Sequence, residues 1–406
     1  MTRELTIVSQ YFHPEQNATS NLLTELAVEL ARRGVAVHVV TTTPSYRGIS
    51  RQPRRSRHAG VDIVRVPSLP TSRRTRSGRA VATMSFAVAA ALQLVSDRRG
   101  GPVLLVTTPP QMLWAAPVLR RLRRRVPLLL IHDLYPDIAE ALGYLRHDGL
   151  LARTWRWLNR CAFGHAAGVV VLGPNMGSTI VERYGVSATR IVEIPNWSDP
   201  EFISPRAKSQ NRFAREHGFV EPFVVQMSGN LGLFQEIDAL LGAAERLEGS
   251  GILFVFIGEG GQRHKIVDAS RRLTNVRVLD FVPRAEVPLS LTACDLSVIS
   301  LRARVEGLAV PSRLYAAMAA GVPILAIMDS SSDAAVTVQR HRCGDVATRD
   351  PDDIARRILA LREDAAGRAQ MGRNAREAAV REYTVHRAAQ RYESVLRSLS
   401  EAPCDA

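Results

Sequence analysis

The 406-residue sequence predicts an α/β fold of two Rossmann-like parallel-sheet domains facing a cleft. Three observations carry that prediction. Apolar runs of strand length alternate with longer amphipathic stretches, the pattern of parallel strands joined by crossover helices. The alternation runs through twice, on either side of a segment broken by Pro and Ser. Glycines also gather just after several strand-like runs, where open parallel sheets place their ligand loops.

The first domain opens with a strand at 5–8, a polar turn at 11–20 and a helix at 21–33. Gly34 stops that helix and a second strand follows at 35–41, completing one βαβ unit. Further strands are predicted at 61–66, 103–106, 128–131 and 168–172. Pro195, Pro200, Pro205 and Ser209 then interrupt the pattern. The domains are accordingly set at 1–200 and 220–384, with a linker at 201–219. The second domain reads as a strand at 223–228, a helix at 236–247, and strands at 252–257, 276–279, 296–299 and 324–327. A last helix at 385–400 is expected to cross back to the first domain.

A hydrophobic content of 46% with 23% charged residues excludes a disordered chain. The net charge is +14, and nearly all of the basic residues are Arg, with Lys only at Lys208 and Lys265. Such an excess favours anionic partners, either phosphates or an acidic membrane surface. Nucleic acid is set aside, because the basic clusters lack interleaved aromatics and no reading motif accompanies them. Cys161, Cys294, Cys343 and Cys404 lie far apart, which fits a reduced cytoplasmic protein without structural zinc. The N-terminus passes straight into a strand, leaving no room for a signal peptide. The uncharged stretch 80–96 is marginal in length for crossing a bilayer and reads as a buried helix.

Four loops hold the candidate chemistry of the second domain. Ser228-Gly229-Asn230-Leu231-Gly232 follows the strand at 223–228. A plain βα turn needs one glycine; two allow backbone amides to approach a diphosphate. Gly258-Glu259-Gly260-Gly261 repeats the arrangement, with Arg263 as a fixed cation beside it. Val282 sits in Phe281-Val282-Pro283, a loop suited either to a flat base or to a structural turn. The richest segment runs from Glu306 to Tyr315. Pro311 and Ser312 suit the start of a helix, Arg313 a diphosphate clamp and Glu306 a sugar-hydroxyl acceptor. In the first domain His132 and Asp133 end a strand. One of them is expected to orient the acceptor or the donor sugar, the plainer reading being a structural turn. His13 and Glu15 in the first loop are further candidates.

At these residues the chain resembles a known family. The ordered series S-G-N-L-G, F-I-G-E-G, V-L-D-F-V-P, A-C-D-L-S-V-I-S and V-P-S-R-L-Y-A-A-M-A-A-G-V-P-I is similar to the nucleotide-sugar half of GT-B glycosyltransferases of family 4. Y-F-H-P-E, H-D-L-Y-P-D at 132–137 and I-P-N-W at 194–197 agree in the first half. The resemblance covers nearly the whole chain and is nearest to the bacterial capsule, colanic-acid and O-antigen transferases. It implies retaining transfer from an NDP-sugar, with no metal or other cofactor expected. Many members carry two glutamates spaced E-x7-E. Here Leu314 stands eight residues after Glu306, and alignment on A-M-A-A-G places Leu308 and Ala316 at the two positions. Phe234-Gln235-Glu236 also replaces the basic residue common after the first glycine turn, leaving Arg263 and Arg313 to supply the charge.

The resemblance further implies a lipid-linked acceptor such as a polyprenyl diphosphate sugar. The enzyme would then sit on the inner face of the plasma membrane, with the basic clusters Arg73 to Arg79 and Arg120 to Arg125 against anionic lipid. Two other readings stand beside it: a soluble transferase of secondary metabolism, and a catalytically inactive sugar-nucleotide-binding protein.

Overall fold

The computed structural model describes residues 4–15, 17–43, 52–69, 76–123 and 125–401. The chain divides into two compact units, Met1–Pro195 with Val385–Ala406, and Asn196–Thr384.

The first unit holds an eight-stranded sheet. Its strands are β1 (Glu4–Val8), β2 (Ala36–Thr42), β3 (Arg55–His58), β4 (Val61–Val66), β5 (Gly101–Val106), β6 (Arg125–Leu130), β7 (Gly168–Val171) and β8 (Ile191–Glu193). The spatial order is β3-β4-β2-β1-β5-β6-β7-β8, and every pair is parallel except β3 with β4. β3 was not expected, because Arg55-Ser56-Arg57-His58 contains no apolar residue. It is an edge strand, held by its antiparallel ladder to β4. The helix Ala18–Arg32 starts where the Asn17 side chain accepts the Ser20 amide at 2.9 Å. It buries Leu23, Leu26, Ala27 and Leu30 and stops at Gly34, whose φ is +85°.

Two expectations change here. The helix Arg76–Ser96 is not buried all round: Phe86, Ala90 and Leu94 face the core, while Val88 and Leu92 are 52% and 65% exposed. No helix among the described residues is long and apolar enough to cross a membrane. The basic stretch 120–125 is also split. Arg120 and Arg121 are exposed, but Arg125 is fully buried at the start of β6, with Nη2 3.1 Å from Asp97 Oδ2. Burial of a cation is tolerated there because the carboxylate travels with it, so Arg125 is part of the scaffold and not of a membrane contact. Arg73, Arg74 and Arg124 lie outside the described residues, as do the side chains of Arg76, Arg79 and Arg123.

The second unit is built on β9 (Phe223–Ser228), β10 (Ile252–Ile257), β11 (Val276–Leu279), β12 (Leu296–Ser300), β13 (Ile324–Ile327) and β14 (Gly344–Ala347). All pairs are parallel, in the order β11-β10-β9-β12-β13-β14. β10 is buried along its whole length, as a strand covered on both faces must be. Successive residues feed opposite sides: Val224, Val255 and Ile257 join one core, and Val225, Phe254 and Phe256 the other.

The segment 201–219 is no linker. Ile203, Phe213, Ala214 and Phe219 are buried in the first of those cores. Asn211 pins the segment, accepting the Phe213 amide at 2.9 Å and donating to the Leu289 carbonyl at 2.8 Å. The prolines break regular structure without breaking burial. The last helix, Val385–Glu401, belongs to the first unit and packs on Ala18–Arg32. Arg33 bonds Glu29 of its own helix at 2.8 Å and reaches Glu393 at 2.9 Å across that contact.

Candidate functional site

Each sheet reverses its strand order once, between β9 and β12 in the second unit and between β1 and β5 in the first. At such a reversal two neighbouring loops diverge and leave a crevice at the carboxyl edge.

In the second unit β9 runs into Gly229, whose φ of +111° suits glycine. Its amide donates to the Ile257 carbonyl at 2.8 Å, and the Leu231 amide donates to the Glu259 carbonyl at 2.8 Å. The two glycine loops are thereby zipped together. A Cβ at Gly258 would stand 2.1 Å from the Gly229 oxygen, and one at Gly260 2.3 Å from the Leu231 backbone. This loop-on-loop packing alone requires glycine at both positions, whatever a phosphate adds. Gln262 braces the turn, donating from Nε2 to the Gly232 carbonyl at 2.7 Å, while its Oε1 accepts from Arg302 at 3.0 Å. The Asn230 side chain folds over Gly232, where a Cβ would meet it at 3.1 Å.

Arg313 opens the helix Arg313–Ala319, and its guanidinium lies against Gly229, 3.7 Å from where a Cβ would be. Nη2 donates to the Asn230 carbonyl at 2.5 Å. Nη1 is buried without a hydrogen-bond partner, and among the described residues no carboxylate pairs with this side chain. Burial pulls its pKa down to about 10, so it remains a cation at neutral pH. A desolvated cation with an unmet donor, set over a glycine turn, is arranged to receive an anion.

The other predicted residues of this unit divide. Ser312 takes the position before that helix, but with helical angles, and its hydroxyl makes no capping bond. Glu306 is engaged: its Oε1 accepts from Arg349 Nη2 and from the Asp329 amide at 2.9 Å. Burial raises its pKa, with the Asp329 amide and the Arg349 charge opposing. Arg263 departs from expectation, because Asp280 binds its Nη2 at 2.5 Å and Glu259 stands 3.6 Å from its Nε. Both carboxylates are exposed, and Arg263 Nε is buried without a hydrogen-bond partner. Val282 is half-buried and packs on the core, leaving its backbone as the part able to meet a base.

In the first unit the loops after β1 and β5 are tied by the Gln10 amide donating to the Thr108 carbonyl at 2.8 Å. Thr107 Oγ1 then accepts the amides of His132 at 2.9 Å and Asp133 at 3.4 Å. Burial pushes the His132 imidazole down to about 4 and the Asp133 carboxyl up to about 6, giving a neutral imidazole beside a carboxylate that titrates near neutrality. Asp137, in the same motif, is structural: it is buried and held by Arg183 at 2.8 Å and the Tyr184 hydroxyl at 2.5 Å. Glu15 is buried, and His13 stacks on His58 at 3.7 Å between ring centroids. Burial foremost, then His58, lowers the His13 pKa.

Sequence reasoning missed Thr107, Gln262 and Arg349. Thr107 had a signal, since Thr-Thr-Pro-Pro directly follows an apolar strand. Arg349 had little, because it follows β14, whose Gly-Asp-Val-Ala gives no strand pattern. Among the described residues, Glu140, His147 and Asp148 are spaced closely enough to hold a metal. Arg156 already pairs with both carboxylates, at 2.7 and 2.5 Å.

Two doubly wound parallel-sheet units in one chain, each reversing its strand order once, are the architecture of the GT-B transferases. Residues 19–197 match the model of the glycosyl transferase 4-like domain, and residues 209–378 that of glycosyl transferases group 1. The probable glycosyltransferase WbjE of Pseudomonas aeruginosa is 30% identical over 267 residues, 64% of this chain and 66% of that relative. A putative colanic acid biosynthesis glycosyl transferase, WcaI of Escherichia coli, is 23% identical over 325 residues, 76% of this chain and 79% of its own length. The structure of Anabaena HepE in complex with UDP-glucose superposes with a TM-score of 0.73 at 15% identity, covering 97% of this chain and 99% of that one. The chain belongs to the family-4-like glycosyltransferases of GT-B architecture.

Proposed function

We propose that this glycosyltransferase moves a sugar from a nucleoside-diphosphate donor to a lipid-linked acceptor, with retention at the anomeric carbon and without a metal ion. The reading makes it a peripheral enzyme of the cytoplasmic membrane face, in cell-surface polysaccharide or glycolipid assembly. The observation that carries it is the guanidinium of Arg313 against Gly229, with its Nη1 buried and unpartnered. Support for the donor class comes from the HepE complex with UDP-glucose. Support for a role in polysaccharide assembly comes from the colanic acid biosynthesis relative.

In this scheme the bond from the anomeric carbon to the diphosphate oxygen breaks, and negative charge builds on the leaving group. Arg313 answers that charge within a turn already organised by Gly229, Asn230 and Gly258, so little reorganisation is needed. The acceptor hydroxyl attacks from the face the diphosphate leaves and passes its proton to a diphosphate oxygen. Glu306 takes a hydroxyl of the donor sugar. Asp133 or His132 orients the acceptor or the sugar. Ser312 and the backbone at Val282 and Glu259 complete the donor contacts. The test is transfer from UDP-, GDP- and dTDP-sugars to a polyprenyl diphosphate sugar, with and without EDTA, reading the new anomeric centre by NMR. Product of unchanged anomeric configuration with EDTA present is expected. Inverted product, or activity abolished by EDTA and restored by a divalent ion, overturns the corresponding part.

A further inference from the structure

Between Glu29 and Asp133 the sequence holds two acids, Asp62 and Asp97. Both stand in the wall of one cavity of the first unit, about 780 Å³ in volume. Arg54, Arg55 and Arg57 line it from β3 and the residue before it, and Arg98 and Arg99 from the turn ahead of β5. Arg55 lies opposite Val64, and Arg57 opposite Asp62, so these four share one face of the sheet edge. The helix Arg76–Ser96 packs on β4 and brings Gln93 and Ser96 to the same cavity.

The two carboxylates are already committed. Asp97 holds Arg99 at 2.9 Å and Arg125 at 3.1 Å. Asp62 stands 3.6 Å from Arg57 Nε and 3.5 Å from His38 Nδ1. The side chains of Arg54, Arg55 and Arg98 are exposed and, among the described residues, make no hydrogen bond or ion pair. Three guanidiniums that no carboxylate answers, set around one concavity, focus a positive field on it.

The cavity falls in the size range of small-molecule sites, about 300–1,000 Å³. Among the described residues its walls contain no aromatic side chain on which a base could stack. Its apolar members, Ile63 and Val64, are buried and half-buried, so it lacks the exposed apolar side chains that an interfacial surface inserts into lipid. What it offers is arginine forks, which match phosphate oxygens. It also lies apart from His132 and Asp133. The turn at 97–99 precedes β5, Thr107 follows it, and the six residues of that strand span about 20 Å. We propose that this cavity is a second ligand site, taking a soluble anion that carries two or more phosphate groups. The site is independent of the donor turn and of the nature of the acceptor.

The experiment is calorimetric titration of the full chain with inorganic triphosphate at about 150 mM salt, where exposed charges are largely screened. Three variants are compared with wild type. Arg54→Gln/Arg55→Gln/Arg98→Gln alters the cavity, and Arg313→Ala the donor turn. Arg120→Gln/Arg121→Gln/Arg153→Gln removes as much exposed charge elsewhere in the first unit. Wild type is expected to bind saturably, and the cavity variant about tenfold or more weakly. Arg313→Ala and the charge control should retain that binding. Melting temperature and stabilisation by UDP-glucose should be unchanged in the cavity variant, so failure at the cavity is read apart from failure at the donor turn. The proposal is overturned if wild type does not bind triphosphate, or if the cavity variant binds it equally well. It is equally overturned if Arg313→Ala abolishes binding, or if the charge control loses as much as the cavity variant. Binding to phosphatidylglycerol vesicles is measured alongside. If the cavity variant loses only that binding, and triphosphate binds neither protein, the ligand is a lipid headgroup and the soluble-anion assignment fails.

Discussion

Arg313 donates through Nη2 to the carbonyl of Asn230 at 2.5 Å and keeps Nη1 buried without a partner. The bond fixes the guanidinium over the glycine turn, and the unmet donor is left for the ligand. Arg313→Ala should keep its fold and lose turnover by ~10²-fold or more. Arg313→Lys should recover part of it, since the charge returns but the planar fork does not. Steady-state kinetics on both variants, with circular dichroism to confirm folding, decides the matter; wild-type turnover in Arg313→Ala would remove the role.

The glycine loops make a prediction about stability. Gly258→Ala would drive a Cβ to 2.1 Å from the Gly229 carbonyl oxygen, so the loops must part. A loss of roughly 1–3 kcal/mol is expected in urea unfolding, with donor affinity falling alongside. Gly261→Ala, where a Cβ would meet the Leu233 side chain at 3.7 Å, is the control and should be close to neutral.

Asp133 sets a pH dependence. Its carboxyl is raised by burial to about 6, above the range of the unfolded chain, so the fold favours the neutral acid. That stabilising contribution is complete below the unfolded value and is lost as pH rises through about 6. Asp133→Asn should therefore be more stable than wild type at pH 7.5, the advantage shrinking toward pH 4. If the ionised carboxylate orients substrate, kcat/KM of the wild type falls below pH 6 and the variant lacks that limb. His132, pushed down to about 4, adds no limb between pH 5 and 8.

Glu306 and Arg349 should act as one unit. Removing Arg349 leaves a half-buried carboxylate without its cation, raising its pKa further. Arg349→Ala, Glu306→Gln and the double variant should be non-additive, with a coupling of about 0.5–3 kcal/mol in kcat/KM. Additive losses would show that the pair does not act together on the substrate.

The two-unit α/β architecture was legible because parallel strands buried on both faces are written as near-continuous apolar runs, β10 most plainly. β3 and β14 were not, since Arg55-Ser56-Arg57-His58 and Gly-Asp-Val-Ala are paired by neighbours rather than by their own composition. The prolines near 200 hid a packed segment, because Phe213 and Phe219 are too sparse to make a period. The glycine turn and Arg313 were readable as types at the end of a strand and the start of a helix. Their partners were not. Arg349 reaches Glu306 across 43 positions, and Asp280 captures Arg263 across 17. Pairings of this kind belong to tertiary geometry. The basic run 120–125 shows the same limit: in sequence Arg125 looks like its neighbours, yet its place at the start of β6 turns it inward to Asp97.

Binding of a nucleotide-sugar at the Gly229–Arg313 turn is the central claim, and thermal unfolding against a panel of UDP-, GDP- and dTDP-sugars tests it most directly. A true donor at about 100 times its dissociation constant stabilises by about 2.7 kcal/mol. The account predicts that one nucleotide class raises the melting temperature of the wild type and that Arg313→Ala loses most of the shift. No shift with any member of the panel, or an equal shift in Arg313→Ala, would contradict it.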